Sequence, residues 1–120
     1  MRFFKHNDVE DLERLFKESN EEDLRNPKKA KATRKFLVVE ALYVNTGDIC
    51  PLNEIIKLKN KYKVRIFVDE SYSIGVLGKN GKGIKEHLNI DALEIDNITA
   101  SLENSFASYG GFSGNNLIYI

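Results

Sequence analysis

The sequence predicts an α/β fold built on a parallel sheet, and three features predict it. Two short apolar runs, Lys35–Leu42 and Val64–Val68, flank a stretch with one apolar face that starts at Pro51. That strand–helix–strand order at this spacing is a βαβ unit, whose two strands run parallel. The second run then ends in the carboxylate pair Asp69-Glu70, followed by a loop holding Gly75, Gly78, Gly81 and Gly83. In open α/β sheets the C-terminal strand ends face the ligand crevice, and glycine lets backbone come close there. Residues 64–83 are therefore the candidate site.

In chain order, Asn7 and Glu10 have capping-box spacing, with Asn in place of Ser or Thr at the cap. Val9, Leu12, Leu15 and Phe16 recur at helical intervals, so residues 8–18 read as an amphipathic helix. Residues 19–34 show no apolar period and read as a solvated loop, with Asn26-Pro27 followed by the basic run Lys28, Lys29, Lys31 and Arg34. Phe36-Leu37-Val38-Val39 makes the first run a buried parallel strand. Asn45-Thr46-Gly47-Asp48 is a turn, and Pro51 suits the first position of a helix whose face is Leu52, Ile55, Ile56 and Tyr62. Beyond the glycine loop, Ile84–Leu88 reads as one or two helical turns, and Asn97–Leu102 as a third strand. Phe106–Phe112 is a strand or bend with closely packed backbone at Gly110-Gly111.

A chain of 120 residues suffices for one domain with a core and is too short for two. Its 18 basic and 18 acidic side chains balance, so no net field draws it to nucleic acid or acidic lipid. A lone cysteine, Cys50, excludes an internal disulfide and suits a reducing compartment. No run approaches the roughly 18–20 apolar residues of a membrane span, and Met1–His6 lacks the apolar stretch of a signal peptide. His6, His87 and Cys50 have no metal-ligand spacing. Lys82 cannot close a phosphate-binding Gly-x-x-x-x-Gly-Lys motif, because Val76 stands at its first glycine and Gly83 replaces the hydroxyl residue. Cys50, next to Pro51, reads as a small buried thiol. Three or four strands with two or three helices leave sheet faces and edges uncovered, and Leu117–Ile120 is apolar and stops abruptly. The chain is expected to be part of a larger domain.

Four segments resemble one family. Asp69-Glu70-Ser71-Tyr72-Ser73 resembles the Asp-Glu-Ala-His-Ser motif of the α-oxoamine synthases, pyridoxal 5'-phosphate enzymes that join an amino acid to an acyl-CoA. Phe4–Glu13, Glu40–Leu52 and Ala100–Phe112 resemble three further family segments in the same order, so the resemblance covers essentially the whole chain. Within the family, Cys50, Tyr72 and Leu102-Glu103-Asn104-Ser105 resemble the non-catalytic long-chain-base subunits of serine palmitoyltransferase.

The resemblance implies part of the large domain of an aspartate-aminotransferase-like fold, lacking an N-terminal anchor, further strands and a C-terminal small domain. It puts Asp69 on the aspartate that pairs with the pyridine nitrogen and keeps the ring cationic as an electron sink. Tyr72 falls where the family has a ring-contacting histidine; it can stack but cannot switch charge near neutral pH. Asn104 falls on the Schiff-base lysine, and an amide nitrogen is not a usable nucleophile. No later lysine substitutes, because the last in the chain is Lys85. Glu103 replaces a phosphate-binding hydroxyl with a charge that repels phosphate. The resemblance thus implies a subunit without catalytic residues of its own, paired with a lysine-bearing subunit that holds most of the cofactor. The reaction implied joins serine and palmitoyl-CoA to give 3-oxosphinganine. The location implied is the cytosolic face of the endoplasmic reticulum membrane, reached through segments outside this chain. The alternatives are an active pyridoxal-phosphate acyltransferase with a differently placed lysine, or a vestigial product without a partner.

Overall fold

The computed structural model describes residues 1–114. The apolar segment Leu117–Ile120 lies outside them. Helix α1 (Val9–Arg25) and helix α2 (Pro27–Ala32) precede strand β1 (Phe36–Glu40). Helix α3 (Leu52–Tyr62) leads to β2 (Arg65–Asp69), and the short α4 (Ile84–Leu88) and a 3-10 turn at Ala92–Glu94 lead to β3 (Asn97–Ser101). Strand β4 (Gly111–Gly114) closes the order β1-β2-β3-β4. The first three strands are parallel, as the βαβ spacing predicts, and β4 runs antiparallel to β3.

One face of the sheet carries the core. Leu37, Val39, Ile66, Val68 and Ala100 alternate inward and meet Leu12 from α1 and Leu52, Ile55 and Ile56 from α3. The other face is open: Val38 is 71% and Phe36 53% exposed, with Phe36 stacked edge-on against Phe67 at 5.3 Å. Strand β1, expected to be buried, is therefore buried on one side only among the described residues. Its register carries Glu40, Asp69 and Thr99 to one row at the C-terminal strand ends.

The expected solvated loop at 19–34 is instead helical over most of its length. Helix α1 continues beyond its apolar stripe because Arg14–Glu18 and Arg25–Glu21 pair at i,i+4. Asn26 then ends α1 and starts α2, its side chain accepting from Lys29 N, with Pro27 in the first turn. The cap of α1 is Asp8, not Asn7: Asp8 Oδ1 accepts from Asp11 N at 2.9 Å, while Asn7 sits at φ 53°. Pro51 is likewise the residue before α3, one position earlier than expected. Strand β3 ends at Ser101, one residue short of the expected Leu102. Residues 106–110 are irregular, with a turn at Phe106 and a bend at Tyr109, and β4 starts only at Gly111. The close backbone packing expected at Gly110-Gly111 holds at Gly111 alone: a Cβ there would lie 2.7 Å from the Ala100 carbonyl oxygen, whereas one on Gly110 would meet nothing within 4 Å.

Candidate functional site

Asp69 is the last residue of the central strand. Its carbonyl accepts from Ala41 N at 2.8 Å, and Glu70 N donates to the Thr99 carbonyl at 2.7 Å, so both neighbours hold the strand end in place. The chain then turns at once, with Ser71 N donating to Asp69 Oδ1 at 2.8 Å in a local aspartate turn. Asp69 is half-buried and lines an open groove of about 600 Å³ that runs along β1 beside the N-terminal arm. Phe4, His6, Val38, Glu40 and Tyr43 line that groove with it, and among the described residues no lysine does. Tyr72, 40% exposed, lies three residues beyond Asp69 with its ring open to solvent.

Glu70, the second carboxylate of the pair, turns the other way. It is 2% exposed, and its Oε2 accepts from Ser73 Oγ at 2.7 Å and from Ile84 N at 3.0 Å. The glycine loop is thereby tied to the strand end from below. Glu86 ties it from the side, accepting from Asn80 Nδ2 at 2.5 Å, Asn80 N at 2.8 Å and Lys82 N at 3.2 Å; these bonds, that of the Asn80 side chain first, pull its carboxyl below the ordinary range. Gly75 N and Gly83 N donate within the loop, to Gly81 and Leu77 carbonyls. The close backbone approach expected of these glycines is thus an approach to the chain's own groups: the Glu86 and Glu70 carboxylates at Gly78 and Gly83, Ser105 at Gly75, and the Gly75 backbone at Gly81. Most of the loop's N–H groups are thereby engaged, Gly75, Gly81 and Gly83 by loop carbonyls and Asn80 and Lys82 by Glu86.

The turn after β3 docks on the turn after β2. Asn104 Nδ2 donates to the Ser71 carbonyl at 2.9 Å, Ser101 N donates to Ser71 Oγ at 2.9 Å, and Ser105 Oγ donates to the Ile74 carbonyl at 2.6 Å. The structure therefore joins Asp69 and Asn104 through one residue, Ser71, while Tyr72 borders them. Glu103 is exposed, its N–H held by Ser101 Oγ at 3.1 Å. Lys82 and Lys85 line a different cleft, with Ile95, Ile98 and Phe112.

Sequence reasoning did not find Ser71 as a hub, since two of its partners lie 30 and 33 residues away. It also missed the pairing of His6 with Asp48, Nε2 to Oδ2 at 2.9 Å, which places the imidazole edge-on to Tyr43 at 4.5 Å. That contact holds the N-terminal arm against the β1–α3 connection and pulls the Asp48 carboxyl below its ordinary range. Cys50 is the buried thiol expected, 1% exposed and pushed up to about 12 by burial. Burial also raises the Tyr43 phenol to about 12, with Cys50 adding to it. Among the described residues no cluster of three or more His, Cys, Asp or Glu is placed to hold a metal ion, and no helix is long and apolar enough to cross a membrane.

The family model for aminotransferase class I and II matches residues 1–115. The chain belongs to the aminotransferase class I and II family. It is 48% identical over 110 residues to serine palmitoyltransferase 1 of Dictyostelium discoideum and 48% identical over 111 residues to that of Saccharomyces cerevisiae. It is 43% identical over 114 residues to long chain base biosynthesis protein 1 of Arabidopsis thaliana. These alignments take in 92%, 92% and 95% of the chain but 22%, 20% and 23% of the relatives, so the chain spans about a fifth of their length. Among solved structures, a serine palmitoyltransferase of Sphingomonas wittichii superposes with a TM-score of 0.76 at 30% identity, covering 94% of this chain and 26% of that one. A serine palmitoyltransferase carrying its pyridoxal-phosphate internal aldimine superposes equally, TM-score 0.76 at 34% identity, over 94% of this chain and 26% of that one. The fold is thus the α/β fold of the pyridoxal-phosphate-dependent transferases, as the family resemblance implied.

Proposed function

We propose that the chain is part of the large domain of a non-catalytic serine palmitoyltransferase subunit. It supports the condensation of L-serine with palmitoyl-CoA to 3-oxosphinganine by a lysine-bearing partner, in a heterodimer at the endoplasmic reticulum membrane. Its likeness to the first-subunit proteins supports the class, and Asn104 carries the reading. At the place assigned to the anchoring amine stands an amide whose nitrogen is already committed to the Ser71 carbonyl.

The residues present fit one end of pyridoxal 5'-phosphate and not the other. Asp69 has one carboxylate oxygen engaged by Ser71 N–H, and the other is suited to a protonated ring nitrogen. At the opposite end, Glu103 offers repulsion where a phosphate needs donors, and the N–H groups of Asn80 and Lys82 are bonded to Glu86 and that of Ile84 to Glu70. When bound, the cofactor supplies an electron sink for the amino-acid carbon. This chain's part is to hold the wall carrying Asp69 and Tyr72, while the partner holds the phosphate and the covalent anchor.

The test is to co-express the full-length protein with a lysine-bearing homologue, reduce the purified complex with borohydride and map the modified peptide. The expected result is a cofactor-derived mass on a partner lysine and none on this protein. Reduction onto a lysine of this protein would instead establish the rival reading, an active acyltransferase.

A further inference from the structure

We propose that Asn104 is a positioning residue in its own right, acting through Ser71 to fix Asp69. The inference rests on the reading of this site as the cofactor-facing wall. It goes beyond that reading by giving the replacement amide a task, where the reading needs only that the amine be missing.

Ser71 is held on three sides. Its N–H donates to Asp69 Oδ1 at 2.8 Å, its Oγ accepts from Ser101 N at 2.9 Å, and its carbonyl accepts from Asn104 Nδ2 at 2.9 Å. The first bond sets the rotamer of Asp69. The other two come from β3 and the turn after it, and decide where Ser71 itself sits. Ser105 reinforces the dock one step away: its Oγ donates to the Ile74 carbonyl at 2.6 Å, and a Cβ on Gly75 would lie 2.6 Å from Ser105 Cβ. The turn after β2 follows a strand paired on both sides, yet its own backbone bonds after Glu70 are few until Ser73. Asn104 supplies the Ser71 carbonyl with its donor.

The direction of this bond gives the test its discrimination. An amide donates to a carbonyl; an isosteric carboxylate at the same place can only accept, and so repels that carbonyl. If Asn104 acted merely by filling space, Asp would replace it and Ala would not. As a donor, Asn104→Ala loses one neutral hydrogen bond, whereas Asn104→Asp loses it and adds repulsion.

The experiment uses the full-length protein in complex with its lysine-bearing partner and follows residue-resolved hydrogen exchange at the Ser71 amide, the donor to Asp69. Asn104→Ala is expected to speed that exchange about fivefold, the factor for roughly 1 kcal/mol, and Asn104→Asp to speed it further. Ser105→Ala, which removes only the neighbouring bond, is expected to leave it within twofold of wild type. The absorbance maximum of the bound cofactor is expected to move in the same order, wild type, Ala, Asp. Equal exchange in wild type and Asn104→Asp, or faster exchange in Ala than in Asp, would overturn the proposal. An unmoved absorbance band despite faster exchange would overturn its link to the cofactor site. A complex that binds no cofactor defeats the subunit reading instead, and the order of Ser71 exchange still decides the positioning role.

Discussion

Gly83→Ala is expected to be among the most damaging single-methyl changes in this chain. Gly83 sits at φ 83°, ψ −162°, a region open essentially to glycine alone, where a side chain costs about 1–3 kcal/mol. A Cβ there would also lie 1.9 Å from Glu70 Oε2 and 2.8 Å from its Cδ. Glu70 cannot swing aside cheaply, because it is 2% exposed and that same oxygen accepts from Ser73 Oγ and Ile84 N. Displacing it surrenders at least one charge-assisted bond, about 1.5–3 kcal/mol. The two effects sum to roughly 2.5–6 kcal/mol. Chemical denaturation of the full-length protein measures the total, and a double-mutant cycle with Glu70→Ala separates the parts. Once the carboxylate is removed, only the backbone strain of about 1–3 kcal/mol should remain. A loss below about 1 kcal/mol, or the same loss in both backgrounds, would refute the argument that Glu70 anchors the glycine loop.

Glu13 is held down to about 2 from its ordinary 4.5, first by the hydrogen bond from Lys61 and then by Tyr62 and Lys17. Because its folded pKa is lowered, its contribution is full above the unfolded value and fades as pH falls from 4.5 through about 2. Glu13→Gln should therefore flatten the acid side of a urea-midpoint-versus-pH curve over that window, and an unchanged slope would count against it. Ile66, fully buried on the central strand, should lose about 2–5 kcal/mol as Ile66→Ala in urea denaturation. Cys50, buried and protonated at neutral pH, should take iodoacetamide only after denaturation; prompt labelling of its peptide in the native protein would contradict its burial.

The βαβ unit was legible because each of its parts has a local signal: two β-branched runs and one apolar helical face. The second half of α1 was not. Its apolar stripe stops at Phe16, and what carries the helix on to Arg25 is a set of ion pairs that leave no hydrophobic period. Asn26-Pro27 was ambiguous in the same way, because a cap followed by a first-turn proline spells both a turn and a new helix start. At the site, the carboxylate pair closing a strand marked Asp69 and Glu70 as candidates, and it was the family resemblance that chose Asp69 between them. The partners of Ser71 come from β3 and the turn beyond it, and nothing local announces them.

Burial sorts the residues of the glycine-loop motif into two groups. Glu70 and Ser73, which match the family motif, are 2% and 0% exposed and bond to each other and to the start of α4. Tyr72, Glu103 and Asn104, which depart from it, are all exposed. The matching positions build the loop, so changing them removes buried hydrogen bonds and the fold suffers. Tyr72, Glu103 and Asn104 face outward, where a different side chain costs the fold little, while Ser71, which also departs from the motif, is half-buried and bonded on three sides. On the reading proposed above, such a division would let a chain lose the covalent anchor and the phosphate donors while its strand end, its glycine loop and Asp69 stay in place. The proposed reading, a subunit that shapes a site without performing its chemistry, would require that combination: the geometry of Glu70 and Gly83 would account for one half of it and the exposure of Asn104 for the other.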